Sequence, residues 1–255
     1  MIKLVDLKKD FDGKEVTKGV NLEIKEGTVT CIIGRSGEGK SVLLKQIIGL
    51  MEPSSGQVLV NGKNTIGLSE KERNILFEHF GYVFQFAALL DSLNVFENIG
   101  IKLLENGRSP KEVLPIVKEK LQMVQLAEDT LYKYPSELSG GMRKRVGLAR
   151  TLITKPKVIL YDEPTTGLDP ITSRVIQELM YNMQQRFNLT SIIITHDVNM
   201  FQYADRIALL HDGKIQHNCE AKTVWDSKDP YIHQFIRGLS EGPIQTEIPH
   251  AKDKF

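Results

Sequence analysis

A chain of 255 residues is long enough for one large domain or two small ones with a buried core, and 41% hydrophobic with 25% charged residues is the balance of a soluble globular protein. A formal net charge of +1 removes the electrostatic case for nucleic acid or an anionic bilayer as the main partner. Cys31 and Cys219 are too few for a disulfide framework and lack metal-ligand spacing, no apolar run nears the ~20 residues of a membrane span, and the start MIKLVDLKKD has no signal-peptide core. The composition therefore predicts a soluble cytoplasmic chain.

The first 33 residues read as β structure. KLVDLKK alternates apolar and polar, Asp12-Gly13 marks a turn, and VNLEI alternates again before Lys25-Glu26-Gly27 leads into the short buried strand TVTCII. Phe11 stands near the first turn, and two roles are open to it: an edge-strand aromatic, or a stacking platform for a nucleotide base, whose π-face any aromatic ring can meet.

GRSGEGKS follows, from Gly34 to Ser41. Gly34, Gly39, Lys40 and Ser41 satisfy the phosphate-binding spacing Gly-x4-Gly-Lys-Ser/Thr, with Arg35, Ser36, Gly37 and Glu38 completing the loop. The strand before it and the helix SVLLKQIIGL after it, ending at Gly49, set the loop between strand and helix. Glycines let consecutive N–H groups turn inward, and the helix N-terminus adds partial positive charge. Lys40 can then reach the β- and γ-phosphates while the Ser41 hydroxyl ligates Mg²⁺. A nucleoside triphosphate is the expected ligand.

Gly56 to Asn64 reads as a hairpin about Asn61-Gly62, and SEKERN as a solvated helix face. GYVFQ is another short strand, ended by Gln85. Gln85 is either a plain loop residue or a contact to Mg²⁺ or the attacking water. From residue 86 the chain turns helical. Ser109, Pro110 and Glu112 form a capping box, and Pro115 predicts a kink or a fresh helix start. Phe86, Leu89, Leu90 and Phe96 are either the core of this α-helical insert or the lining of a partner groove.

LSGGMRKRVGLARTLI begins with Ser139 as helix N-cap, followed by Gly140 and Gly141, a second anion site by the same physics as the first. Its cations Arg143, Lys144, Arg145 and Arg150, taken alone, read as a solvated face. KVILYDEP is a buried strand ending in Asp162, placed to hold Mg²⁺, and Glu163, placed to polarise a water as general base. Asp169 and Pro170 start a long helix whose stripe of Val175, Ile176, Leu179, Met180 and Met183 is core. SIIITHD is one more strand, and its His196 falls on the carboxyl edge where open α/β sheets bind ligands. A hairpin about Asp212-Gly213, a short amphipathic helix and an aperiodic tail close the chain.

In this order the motifs resemble the ATP-binding cassette (ABC) ATPases over residues 1 to about 238, and LSGGM is the most specific string. The resemblance implies an α/β fold: a phosphate-loop NTPase core with a mostly parallel sheet, an N-terminal antiparallel β subdomain and an α-helical insert. It implies a nucleotide-binding domain over 1–240, a helical subdomain over about 86–150 and a tail over 241–255. It further implies ATP and Mg²⁺ as ligands, Phe11 as base-stacking aromatic, Gln85 as the Q-loop glutamine, Asp162 and Glu163 as the Walker B pair, Asp169 as the D-loop acid and His196 as the switch histidine. In that family two cassettes pair head to tail, so that Ser139, Gly140 and Gly141 of one copy close on ATP held by the Gly34 loop of the other. Transmembrane permease subunits dock near residues 86–100.

A finer likeness follows. GRSGEGKS, FQFAALLDSLNVFENI, LSGGMRKRVGLAR and RGLSEGP look like the ATPase subunit of MCE-type (Mla-like) phospholipid transporters. Many other cassettes carry glutamine where this chain has Met142, a departure that agrees with that subgroup. Implied partners are an integral membrane permease, an MCE-domain protein and a STAS-domain protein, with the chain peripheral on the cytoplasmic face of the bacterial inner membrane. A soluble cassette acting on DNA would need a long coiled-coil insert between Lys40 and Asp162, and the ribosomal kind usually carries a second cassette; the chain has neither. A binding module with dead chemistry is disfavoured by Glu163 and His196, and a GTPase by the missing Asn-Lys-x-Asp motif.

Overall fold

Strand β1 (Ile2–Phe11) turns back through Asp12-Gly13, both at positive φ, into β2 (Lys14–Ile24), in a computed structural model that describes residues 1–245. β3 (Val29–Ile33) feeds the phosphate loop and helix α1 (Lys40–Ile47). β4 (Ser55–Val60) and β5 (Lys63–Asn64) form the hairpin about Asn61-Gly62, and α2 (Glu70–Phe77) follows, capped by Ser69. β6 (Phe80–Val83) ends two residues before Gln85. The helical insert comprises α3 (Val95–Glu105), α4 (Pro110–Met123) and α5 (Gly140–Leu152). The chain closes with β7 (Val158–Asp162), α6 (Pro170–Phe187), β8 (Thr190–Ile194), β9 (Arg206–His211), β10 (Lys214–Glu220) and α7 (Pro230–Arg237).

Two sheets result, one of order β2-β1-β4-β5 and antiparallel, the other of order β10-β9-β3-β8-β7-β6. In the second, every pair but β10–β9 is parallel, as the continuous apolar runs predict for strands buried on both faces. Alternate residues of β3 serve different cores: Cys31 and Ile33 pack with the insert, α6 and α7, whereas Ile32 packs with α1 and the antiparallel sheet. This arrangement is the expected α/β fold with an antiparallel β subdomain and a helical insert.

Helix α4 runs through Pro115 as a single element, so the fresh start expected there does not occur. Proline removes the one bond its N–H would make to the carbonyl four residues back, on exposed Lys111 in the first turn, where water can replace it. Leu89 and Phe96 pack on the core, while Phe86 is 80% and Leu90 46% exposed. Of the tail expected from 241, residues 241–245 lie back on α7, where Gln234 bonds the Ile244 backbone in both directions; residues 246–255 lie outside the described part. Among the described residues no helix is long and apolar enough to cross a membrane.

Candidate active site

The parallel order places the carboxyl ends of β3, β8, β7 and β6 side by side. That edge collects Gly34, His196, Asp162, Glu163 and Gln85 from segments far apart in the chain. The phosphate loop is wedged there at Gly34 and Gly39, which leave no room for a side chain. A Cβ on Gly34 would lie 2.3 Å from the Leu210 carbonyl oxygen, and one on Gly39, at φ +88°, would lie 2.6 Å from Val16 Cγ1. Gly39 is the N-cap of α1 and no side chain caps that helix. Its first-turn amides point into the loop, a geometry suited to an anion.

Lys40 Nζ donates to the carbonyls of Gly34 (2.8 Å) and Arg35 (2.7 Å) and stands 3.9 Å from Glu163 Oε1. Burial pulls its pKa below the ordinary lysine value, opposed by the carboxylates of Glu163, Glu38 and Asp162. Glu38 holds the loop from behind. Its Oε1 lies 2.9 Å from His211 Nδ1 and its Oε2 accepts from the Asp212 amide at 2.7 Å, tying the loop to the β9–β10 turn. Arg35 Nη1 donates to the Gln245 carbonyl at 2.6 Å.

Ser41 Oγ donates to Asp162 Oδ1 at 2.9 Å, and Tyr82 OH donates to Asp162 Oδ2 at 2.9 Å. Burial, and then the Asp162 charge, push the Tyr82 phenol up, so it stays a donor. A hydroxyl and one carboxylate side by side fit Mg²⁺, which fills its remaining positions with water and phosphate oxygens. Among the described residues no group of three or more His, Cys, Asp or Glu could hold a metal ion.

Glu163 adopts φ +48°, a left-handed conformation that costs a non-glycine residue about 1–3 kcal/mol and persists only where the surroundings impose it. Its carboxylate meets His196 Nδ1 at 2.8 Å and accepts from Thr166 Oγ1 at 3.2 Å. The acid is thus held at the mouth of the phosphate loop, one residue beyond the acid that faces Ser41.

Gly34, Arg35, Ser36, Gly37, Gly39, Lys40, Ser41, Gln85, Glu163 and His196 line one open cleft of about 730 Å³, a volume within the usual range for small-molecule sites. Val16, Thr166 and Phe235 join them. Phe11 does not; it is 42% exposed at the end of β1, with the Lys9 ammonium 5.0 Å from its ring centre. The signature loop also stands outside. Ser139 Oγ accepts from the Met142 amide at 3.3 Å, and a Cβ on Gly141 would lie 2.5 Å from Thr172 Cγ2. Asp169 caps α6, accepting from the amides of Ile171 and Thr172 and from the Thr172 hydroxyl, which together hold its pKa down.

The basic run of α5 is the expected solvated face only in part: Arg143 is exposed, Arg145 and Arg150 are half-buried, and Lys144 is buried. Arg143 donates to the Leu138 carbonyl (2.5 Å), Arg145 to that of Gln125 (2.9 Å), and Arg150 to those of Ala87 and Ala88 (both 2.7 Å). Lys144 reaches inward to the carbonyls of Gln85 and Glu163. The helix joins the rest of the insert to the core, and its cations donate to loop carbonyls there. Spacing alone could not assign these partners, nor those of Tyr82, Thr166 and Phe235, which read as ordinary strand, loop and helix residues.

The family model of the ABC transporter matches residues 17–166. The chain is 38% identical over 245 residues to the probable ribonucleotide transport ATP-binding protein mkl of Mycobacterium leprae, covering 95% of this chain and 70% of the other. It is 36% identical over 232 residues to the intermembrane phospholipid transport system ATP-binding protein MlaF of Haemophilus influenzae, covering 90% and 88%. Among solved structures, the ATP-binding cassette MJ0796, in a dimeric post-hydrolysis state bound to ADP and Pi, superposes with a TM-score of 0.79 at 33% identity, covering 87% of this chain and 99% of that one. The phosphate loop, its paired acids and these relatives place the chain in the ABC transporter family, as one of its ATP-hydrolysing cassettes.

Proposed function

We propose that the chain hydrolyses ATP within a head-to-tail dimer of two copies and thereby drives phospholipid transport through a separate integral membrane permease. The observation that carries the chemistry is the Glu163 carboxylate, held by His196 and Thr166 and 3.9 Å from the Lys40 ammonium at the mouth of the phosphate loop. Lys40 exchanges its two loop carbonyls for phosphate oxygens, and the amides of Gly34 to Ser41 bind the rest of the polyphosphate. Ser41, Asp162 and Gln85 would hold Mg²⁺, which would offset the phosphate charge. Glu163 takes a proton from the attacking water, His196 keeps that carboxylate oriented, and Gln85, which lines the same cleft, orients the water. Phe11 stacks on the base. Ser139, Gly140, Gly141 and Asp169, outside the cleft of their own copy, close the site of the other.

In this reading residues 1–240 are one nucleotide-binding domain with a helical subdomain over about 86–150 and a tail over 241–255. Exposed Phe86 and Leu90, beside Gln85, form the seat of the permease and sense its state. The strings shared with MCE-type ATPases favour phospholipid as cargo, an MCE-domain protein and a STAS-domain protein as further subunits, and the cytoplasmic face of the bacterial inner membrane as location. Ribonucleotide transport, named for one relative, is the competing cargo. Purification of the tagged chain from membranes, identification of the attached proteins and extraction of bound small molecules tests both. A permease with co-extracted phospholipid is expected. A permease complex that carries ribonucleotide and no lipid would overturn the cargo assignment.

A further inference from the structure

We infer that Lys144 is a positioning residue for hydrolysis: its ammonium binds the backbones of Gln85 and Glu163 together, so that the signature helix, the Q-loop and the water-activating carboxylate form one body. Lys144 is 7% exposed, and among the described residues no carboxylate forms an ion pair with it. Its donors go to main-chain carbonyls, those of Gln85 and, at 3.4 Å, Glu163. Burial holds its pKa below the ordinary lysine value, only partly opposed by Glu163 and Asp162.

Both segments it holds carry left-handed residues. Glu163 is at φ +48°, and beyond Gln85 both Ala87 and Ala88 are left-handed, at φ +60° and +46°. Such conformations persist where neighbours over-determine them, and α5 supplies the neighbours from one side. Thr151 Oγ1 donates to the Tyr82 carbonyl, Lys144 to Gln85, and Arg150 to Ala87 and Ala88. Gly147 leaves the space in which Ala87 sits, since a Cβ there would lie 3.2 Å from Ala87 Cβ. Lys144, Gly147 and Thr151 recur at helical i, i+3, i+7 spacing and thus share one face.

The consequence rests on the head-to-tail reading proposed above. The N-terminus of α5 is Ser139-Gly140-Gly141, which closes on the nucleotide of the other copy. Little more than a turn further along, Lys144 grips Glu163 of its own site. One rigid helix therefore joins the lid of one site to the base of the next, and closure at either site sets the carboxylate geometry at the other.

The test is steady-state hydrolysis, ATP calorimetry and thermal melting of the full-length chain carrying Lys144→Met, Lys144→Arg or Gly147→Ala. Lys144→Met is expected to lower kcat by roughly 10²-fold, the effect of misplacing a reacting group by about an ångström, with ATP affinity unchanged and cooperativity in ATP lost. Lys144→Arg, which keeps a donor to both carbonyls, is expected to recover most of kcat. Gly147→Ala crowds Ala87 without touching any charge and suits a helix, so it should lower kcat while the melting temperature holds. Parental kcat in Lys144→Met overturns the inference. So does a kcat loss that tracks a fall in melting temperature, is not rescued by arginine and is absent from Gly147→Ala. Retained cooperativity alongside the kcat loss overturns the link between sites, whereas the dimer reading itself is checked separately by mixing Lys40→Ala and Ser139→Ala chains.

Discussion

His196 Nδ1 lies 2.8 Å from Glu163 Oε2, with the imidazole 64% and the carboxylate 14% exposed. The ring covers the acid from the solvent side, while Thr166 and Lys40 hold it from within. The carboxylate lines the same cleft as the phosphate loop, with Oε1 on the Lys40 side, so a general base for an attacking water is available there.

Glu163→Gln keeps the shape and loses the base. ATP affinity by calorimetry is expected to be retained, and steady-state turnover to fall by roughly 10²-fold or more. Unchanged turnover would remove Glu163 from the mechanism.

Tyr82→Phe deletes the phenol that donates to Asp162 Oδ2 and leaves the Ser41 contact intact. Outer-shell partners of a metal-binding carboxylate are worth about 10- to 100-fold in metal affinity. The half-saturating Mg²⁺ concentration for hydrolysis is therefore expected to rise about tenfold or more, with metal-free nucleotide binding unaltered. An unmoved Mg²⁺ titration would mean that Ser41 alone orients Asp162.

The phosphate loop was legible because its chemistry sits in eight consecutive residues, and Asp162, Glu163 and His196 because each ends a β-branched run on the carboxyl edge of a parallel sheet. Periodicity reports which face of an element is buried, but it does not report against what. Lys144 and Tyr82 show the limit, since their partners lie 59 and 80 residues away in sequence. Lys144 and the half-buried Arg145 and Arg150 looked solvated for the same reason: an isolated helix has no loop carbonyls to satisfy. The fresh helix start offered for Pro115 does not occur, because the carbonyl it leaves unbonded, that of Lys111, lies on an exposed first turn.

Gly81→Ala tests the packing that delivers Gln85. A Cβ on Gly81 would lie 2.4 Å from Thr151 Cγ2, and that threonine is pinned by bonds to the Tyr82 and Gly147 carbonyls. Overpacking of this kind costs about 1–3 kcal/mol, to be read as a lower denaturant midpoint with an unchanged slope. A midpoint equal to that of the parent chain would show that β6 and α5 separate easily.

Lys40→Ala and Ser139→Ala, mixed, decide whether each site is built from two copies. Alone, Lys40→Ala removes the cation that reaches the phosphates and should abolish measurable ATP binding by calorimetry. Ser139→Ala should bind ATP and turn over poorly, because Ser139 lies outside the cleft of its own chain and, in the proposed dimer, would act on that of its partner. In a mixed dimer the two lesions meet in one composite site, where the phosphate loop carrying Lys40→Ala is closed by the signature loop carrying Ser139→Ala. The opposite site then combines an intact phosphate loop with an intact signature loop and should hydrolyse ATP. Activity that rises above both homodimers, with a maximum at intermediate mixing ratios, is the expected result. A flat response at every ratio would mean that each chain completes its own site, and the signature loop would then need another role.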